Sequence, residues 1–260
     1  MGFINNQQHF DYNSFLKFKR LLADKTDISI STKNKYLAST RIFLKELSRS
    51  GAIPDITVNI KCFKQDKKHK RTGLNDFQVK LVWERINQLS TDSKSTRLKA
   101  ILALLIFQGL RQIEIIRLNV TDINLGASTA MIRGKGRDDK EQIDLHPQAV
   151  KAIKSYLLEN KLADGALFTC RSNNHLNKRL TTRSIRNLVK EFLSALGIDK
   201  TTHGFRHYFT TTLIKQFGGD LLEVAQYTRH QSLEMLQVYN DRVKKESDLP
   251  KYYKAFSDII

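Results

Sequence analysis

Residues 202–214, THGFRHYFTTTLI, decide how this chain is read. His203 and Arg206 stand three apart, so one turn of helix aims both at one spot. Residues 220–230, DLLEVAQYTRH, and 232–242, SLEMLQVYNDR, read as two further helices, and they carry His230 and Tyr239. Working back, residues 95–118, STRLKAILALLIFQGLRQIEIIRL, are strongly apolar and read as a buried helix, a turn near Gly109 and a second helix entered at Arg111. The period then changes. STAMIR, GKGRDD and KEQIDL, residues 128–145, read as strand, turn and strand, with Lys135 in the turn. HPQAVKAIKSYLLENK is a helix after Pro147, and LNDFQVKLVWERINQL opens a helical region with Asn75 or Asp76 as its cap. The expected fold class is mostly α with a small antiparallel β-sheet.

In front of this region lie two shorter helical patterns. From Asn13 to Leu22, Phe15, Leu16, Phe18, Leu21 and Leu22 recur at helical spacing. A second helix is expected from Ser31 or Thr32 to a stop at Gly51, with Tyr36, Leu37, Ile42, Phe43 and Leu47 on or near one face. Its exposed face would offer Lys33, Lys35, Arg41 and Lys45. Residues 61–73, KCFKQDKKHKRTG, hold six Lys/Arg and one Asp, including Lys67 and Lys68, and read as a solvated basic linker. The expected division is a small helical domain over 1–60, the linker over 61–73, and a larger domain over 74–260.

Charge narrows the partner. Lys+Arg number 44 against 26 Asp+Glu in 260 residues, a net charge of +18. Residues 1–72 hold 15 of those basic and 6 of those acidic residues, so the front quarter carries half the excess. Residues 171–190 hold six Lys/Arg, Arg183 and Arg186 among them, and no acid. Nucleic acid is the commonest partner of such a surface, because neutralised phosphates release condensed counterions. No run of 18 apolar residues is present, which excludes a membrane-spanning helix, and the start lacks the layout of a signal peptide. The two cysteines, Cys62 and Cys170, make neither a disulfide framework nor a metal pair, so a reducing, cytoplasmic home is expected.

Arg111, Lys135, His203, Arg206, His230 and Tyr239 are the residue types that breaking a phosphodiester needs. Non-bridging oxygens gain charge as a pentavalent phosphorus forms, and two guanidiniums hold them bidentately. A tyrosine hydroxyl serves as nucleophile, and a lysine or histidine protonates the leaving oxygen. No metal or other cofactor is demanded. Taken singly, each residue has a plainer reading. Arg111 could be a surface arginine, Lys135 a hairpin tip, His203 and His207 packing residues, and Tyr239 one half-buried aromatic among Tyr208, Tyr227, Tyr252 and Tyr253. His203 and His207 do not form HExxH, because position 204 is Gly, and GKGRDD lacks the Walker pattern.

GLRQIEIIRL, RGKGRDDKEQIDL, THGFRHYFTTTLI and TRHQSLEMLQVYNDR resemble, in order, the four boxes of the tyrosine recombinase (phage integrase) family. The resemblance covers roughly residues 75–245, and the front helices resemble that family's core-binding domain. It implies a C-shaped clamp on duplex DNA bearing paired inverted-repeat sites. It also implies attack by tyrosine to give a 3′-phosphotyrosine and a free 5′-hydroxyl, with no external energy source, and four protomers assembled on two sites. Position by position, Arg111 and Arg206 would bind the scissile phosphate and Lys135 would be the general acid. His203 would handle the tyrosine proton, His230 would hydrogen-bond the phosphate, Tyr239 would be the nucleophile, and Glu114 would support Arg111. Two positions depart from the pattern. Ile113 stands where relatives often have a small or hydroxylic residue, and Arg229 replaces the usual Gly before His230, where an extra phosphate contact is one expectation. The short front segment is expected to hold no arm-binding domain, which favours a Xer-like or plasmid-resolvase-like member, though small integrases are similar. The tail PKYYKAFSDII suits docking on a neighbouring protomer or packing at home. A silent DNA-binding regulator of the same fold and a nicking-resealing topoisomerase are the alternatives.

Overall fold

Several helix starts in this chain are set by short polar side chains that accept from backbone N–H groups which would otherwise be orphaned. Asp11 accepts from Ser14 N at 2.7 Å and opens α1, Tyr12–Asp24. Ser29 opens α2, Ile30–Arg49, two or three residues before the start expected from the sequence. Asn75 forms a reciprocal capping box with Gln78 and opens α3, Asp76–Gln88. Asp92 opens α4, Ser93–Phe107, and α5, Gln112–Arg117, follows the turn at Gly109. The computed structural model describes residues 11–65, 72–134, 136, 138–170, 176–230 and 232–255. Lys67, Lys68 and Lys135 therefore lie outside the described residues.

The chain divides into two compact units, residues 1–68 and 69–260. In the first, α1 and α2 share a core of Phe15, Leu22, Leu37, Leu44, Ile56 and Ile60. The apolar stripe of α2 is narrower than the sequence suggests. Leu37 and Leu44, one heptad apart, face inward, whereas Tyr36, Ile42 and Phe43 are exposed. Two of the four basic residues expected on its free side are turned to the unit itself. Lys33 Nζ donates to Ala23 O at 2.8 Å, and Arg41 donates to Ile60 O, while Lys35 and Lys45 are exposed.

In the second unit α4 is buried on nearly every side, from Ala100 to Ile106, and packs on α6, Pro147–Glu159. A single 3₁₀ turn, Val120–Asp122, leads into a three-stranded antiparallel sheet of order β1-β2-β3. The strands are β1, Ile123–Asn124, β2, Thr129–Ile132, and β3, Glu141–Asp144. Register is Ala130 opposite Ile143 and Ile132 opposite Glu141. Four helices complete the unit: α7, Thr182–Ser194, α8, Thr202–Gln216, α9, Leu221–Thr228, and α10, Leu233–Lys254. The architecture is mostly helical with one small antiparallel sheet, as the sequence implied. Helix α10 runs on through Pro250, where the sequence suggested a separate tail. Among the described residues no helix is long and apolar enough to cross a membrane.

Candidate active site

Helix α8 is the scaffold of the site, and glycine lets other segments close on it. At Gly109 φ is +55°, a left-handed value, and an added Cβ would lie 2.4 Å from Phe209 Cδ1 on α8. At Gly204 a Cβ would meet Leu74 Cδ1 at 2.7 Å. The loop that precedes Arg111 thus lies directly on the helix that carries Arg206.

Arg206 is 2% exposed. Its NH1 donates to Gly109 O at 2.7 Å and its NH2 to Thr228 O, so one guanidinium joins the loop before α5 to the end of α9. Burial, then the nearby Arg111 and Arg229, push its pKa down to about 9, so the side chain is still charged at neutral pH. Arg111 is held by a single carboxylate. Glu114, one turn on, accepts from Arg111 N at 2.8 Å through Oε2 and from Arg111 NH1 at 2.8 Å through Oε1. Glu114 is itself buried, which favours its neutral form. Arg229 and then Arg111 overcome that and hold the carboxyl below the usual range.

Arg111, His203 and Arg206 line one cleft of about 380 Å³ with Ile113, Thr182 and Arg186. Arg186 and Arg183 are exposed on α7. Arg206 and Arg111 are near enough to Tyr239 to favour its ionised form. The Tyr239 ring sits in a small apolar cluster with Ile214, Val224 and Leu236, and it is 3% exposed. Burial raises its pKa, and Arg206 and Arg111 offset part of that rise. His207, read from the sequence as a packing residue, is buried, with its ring centroid 4.9 Å from that of Tyr239 and 4.7 Å from that of His203. The i, i+4 spacing from His203 was the available signal.

His230 Nδ1 lies 2.7 Å from Thr228 Oγ1. Burial, then Arg206 and Arg111, push its pKa down to about 3, so the imidazole is neutral. Its ring centroid is 6.1 Å from that of Tyr239. The residue before it, Arg229, has φ 54° and ψ 43°, a left-handed cap that glycine adopts freely. Its guanidinium is turned inward, 3.6 Å from Glu114 Oε2 and 3.7 Å from Glu141 Oε1. Within this unit, then, the rings of His207 on α8 and His230 in the α9–α10 turn lie near the α10 tyrosine, and Arg206 and Arg111 are near enough to act on it.

Known proteins are similar to this chain over the region that holds the site. The model of the phage integrase family matches residues 75–246. A tyrosine recombinase XerC of Roseiflexus sp. (strain RS-1) is 31% identical over 242 residues, covering 89% of this chain and 73% of that protein. A XerC of Leptospira interrogans (strain Fiocruz L1-130) is 27% identical over 241 residues, with 90% and 75% covered. Among solved structures, XerH site-specific recombinase in a post-cleavage complex with its palindromic difH substrate superposes with a TM-score of 0.76. That match covers 95% of this chain and 73% of that one at 21% identity, and so speaks to the fold alone. XerA recombinase gives 0.57 at 25% identity, with 95% and 85% covered. With the family's matched span enclosing every side chain that converges on Tyr239, this chain belongs to the phage integrase family of tyrosine recombinases.

Proposed function

We propose that Tyr239 is the residue that becomes joined to DNA when this chain acts. The chain is a tyrosine-type site-specific DNA recombinase, and DNA is its partner. The observation that supports the assignment of Tyr239 is its place inside one subunit: the His207 and His230 rings lie 4.9 and 6.1 Å from its ring, and Arg206 and Arg111 favour its ionised form.

In the proposed step the Tyr239 oxygen attacks the scissile phosphorus. A bond forms from that oxygen to phosphorus, and the bond from phosphorus to the 5′ oxygen breaks. The phenol proton passes to His203, directly or across His207, and the 5′ oxygen takes a proton from Lys135. The products are a 3′-phosphotyrosine and a free 5′-hydroxyl, and the reverse step on a partner strand completes exchange. No metal or ATP enters. Arg111 and Arg206 hold the non-bridging oxygens, where charge develops. His230 donates to a phosphate oxygen only with its proton on Nε2. The Thr228 hydroxyl then has to give its one proton to Nδ1 at 2.7 Å and not to Val224 O at 2.8 Å.

Exposed Lys35, Lys45, Arg183 and Arg186 are proposed phosphate contacts, and Lys67 and Lys68 join them on sequence alone. Four protomers on two synapsed inverted-repeat sites, with the tail of one docked on the next, complete the proposal. Tyr252 and Tyr253 support the docking, because both are exposed at home. A cytoplasmic setting accords with bacterial relatives.

The test uses a nicked suicide duplex and, separately, two intact sites. A covalent adduct with recombinant products is expected. Binding without an adduct would instead support a silent regulator, and an adduct without exchange a nicking-resealing enzyme.

A further inference from the structure

We propose that Arg229 is a positioning residue, which ties the Glu114–Arg111 pair to β3 and to the turn that carries His230. The inference rests on the reaction proposed above.

The backbone at Arg229 is left-handed, a conformation that is unfavourable for a non-glycine residue. The side chain reaches three segments in return. NH2 lies 3.3 Å from Gln108 O and 3.6 Å from Glu114 Oε2, in the segment that carries Arg111. Nε lies 3.7 Å from Glu141 Oε1, at the start of the strand leaving the hairpin. NH1 donates to Tyr227 O at 2.9 Å, which closes the turn before His230. The side chain is 8% exposed, so little of it is left to touch a phosphate. A direct DNA contact, expected from the sequence, is the weaker role for it.

Glu114 is where Arg229 acts on the reaction. Its two oxygens hold Arg111 by main chain and side chain. The charged groups facing it are Arg111 on its own helix, Arg206 from α8 and Arg229 from the turn after α9. Glu141 of β3 faces Arg229 in turn, and His230 and Tyr239 lie beyond Arg206. Removing Arg229 takes away the strongest charge that keeps the buried carboxyl ionised. Glu114 then protonates at a higher pH and loosens Arg111. Cleavage needs the ionised form, so the acid side of its pH profile moves upward.

Single-turnover cleavage of a suicide duplex from pH 5 to 9 tests this. The proteins are the wild type, R229G, R229Q, R229K, E114Q, the double variant R229G/E114Q and Tyr239→Phe, with duplex affinity measured beside the rate. Glycine suits the backbone at 229, so R229G removes the side chain alone. The expected rate loss is about 10- to 100-fold, with the acid limb moved to higher pH and duplex affinity held within about threefold. R229K should recover the limb in part, and R229G should add little to E114Q. Should R229G fail to fold, R229Q carries the same comparison, because it removes the charge and keeps amide donors. A wild-type rate and limb in R229G, a loss matched in duplex affinity, or full additivity with E114Q would overturn the proposal. A wild-type adduct that survives Tyr239→Phe would overturn the reaction instead, and that outcome is distinct from the others.

Discussion

Replacing Arg206 by lysine keeps one positive charge and removes the guanidinium fork. In the native site that fork holds Gly109 O at 2.7 Å and Thr228 O, on two segments far apart in the chain. At 2% exposure, water does not reach in to replace a lost donor. A lysine ammonium is a point donor and satisfies one of the two carbonyls. The other becomes a buried unpaired acceptor at about 1–3 kcal/mol, which lowers Tm by about 2–4 °C per kcal/mol in a unit of this size. The effect on rate is larger. Two oxygens of the phosphate gain charge together, and losing one aligned donor to developing charge costs about 10²–10³ in rate. Duplex affinity should change by less than about threefold, since the charge that displaces a counterion remains. The assay follows single-turnover adduct formation on a suicide duplex at saturating protein, with affinity from fluorescence anisotropy. Equal losses in affinity and rate, or cleavage within about fivefold of the wild type, would refute the fork argument.

Three further outcomes follow from the same geometry. Gly109→Ala forces a Cβ against Phe209 at a left-handed φ, so urea unfolding should show a loss of about 2–5 kcal/mol; an unchanged midpoint would contradict the close approach. DNA affinity should fall steeply with salt, by about 10³ between 50 and 200 mM if six or more phosphates are contacted, and a flat response would count against the basic surface as the binding face. The native state holds the His230 imidazole neutral, with a pKa near 3 against an ordinary 6.5. Only the unfolded chain takes a proton there, so stability should drop as pH falls from 6.5 toward 3, with Glu114 adding to the loss at the low end. His230→Gln should flatten the upper part of that slope, and an unaltered slope would assign the acid sensitivity elsewhere.

The helical frame of the larger unit was legible because its signals are local. Asn75 caps α3 through its own side chain, and the apolar run 100–106 has only one way to be buried. The reactive residue types could be picked out because phosphoryl transfer calls for them, and their order along the chain came from the resemblance to the family's four boxes. What escaped depends on partners distant in sequence. Nothing in STKNKYLASTRIF tells that Lys33 meets Ala23 O or that Arg41 meets Ile60 O, and the periodicity does not show which of Tyr36, Leu37, Ile42 and Phe43 lacks a facing helix. Strand β1 is two residues long and exists through its pairing with Thr129 and Ala130. The inward turn of Arg229 was equally hidden, because Glu114 and Glu141 become its neighbours only in the fold. His207 was read as a packing residue, but the sequence alone did not show that the ring it packs on is that of Tyr239.

The most direct measurement is mass spectrometry of the trapped protein–DNA adduct after protease and nuclease digestion. A nucleotide mass on the peptide containing Tyr239, with no adduct from Tyr239→Phe protein that still binds the duplex, is the predicted result. A nucleotide on Tyr208, Tyr227 or any other side chain, or an adduct that forms undiminished without the 239 hydroxyl, would contradict it.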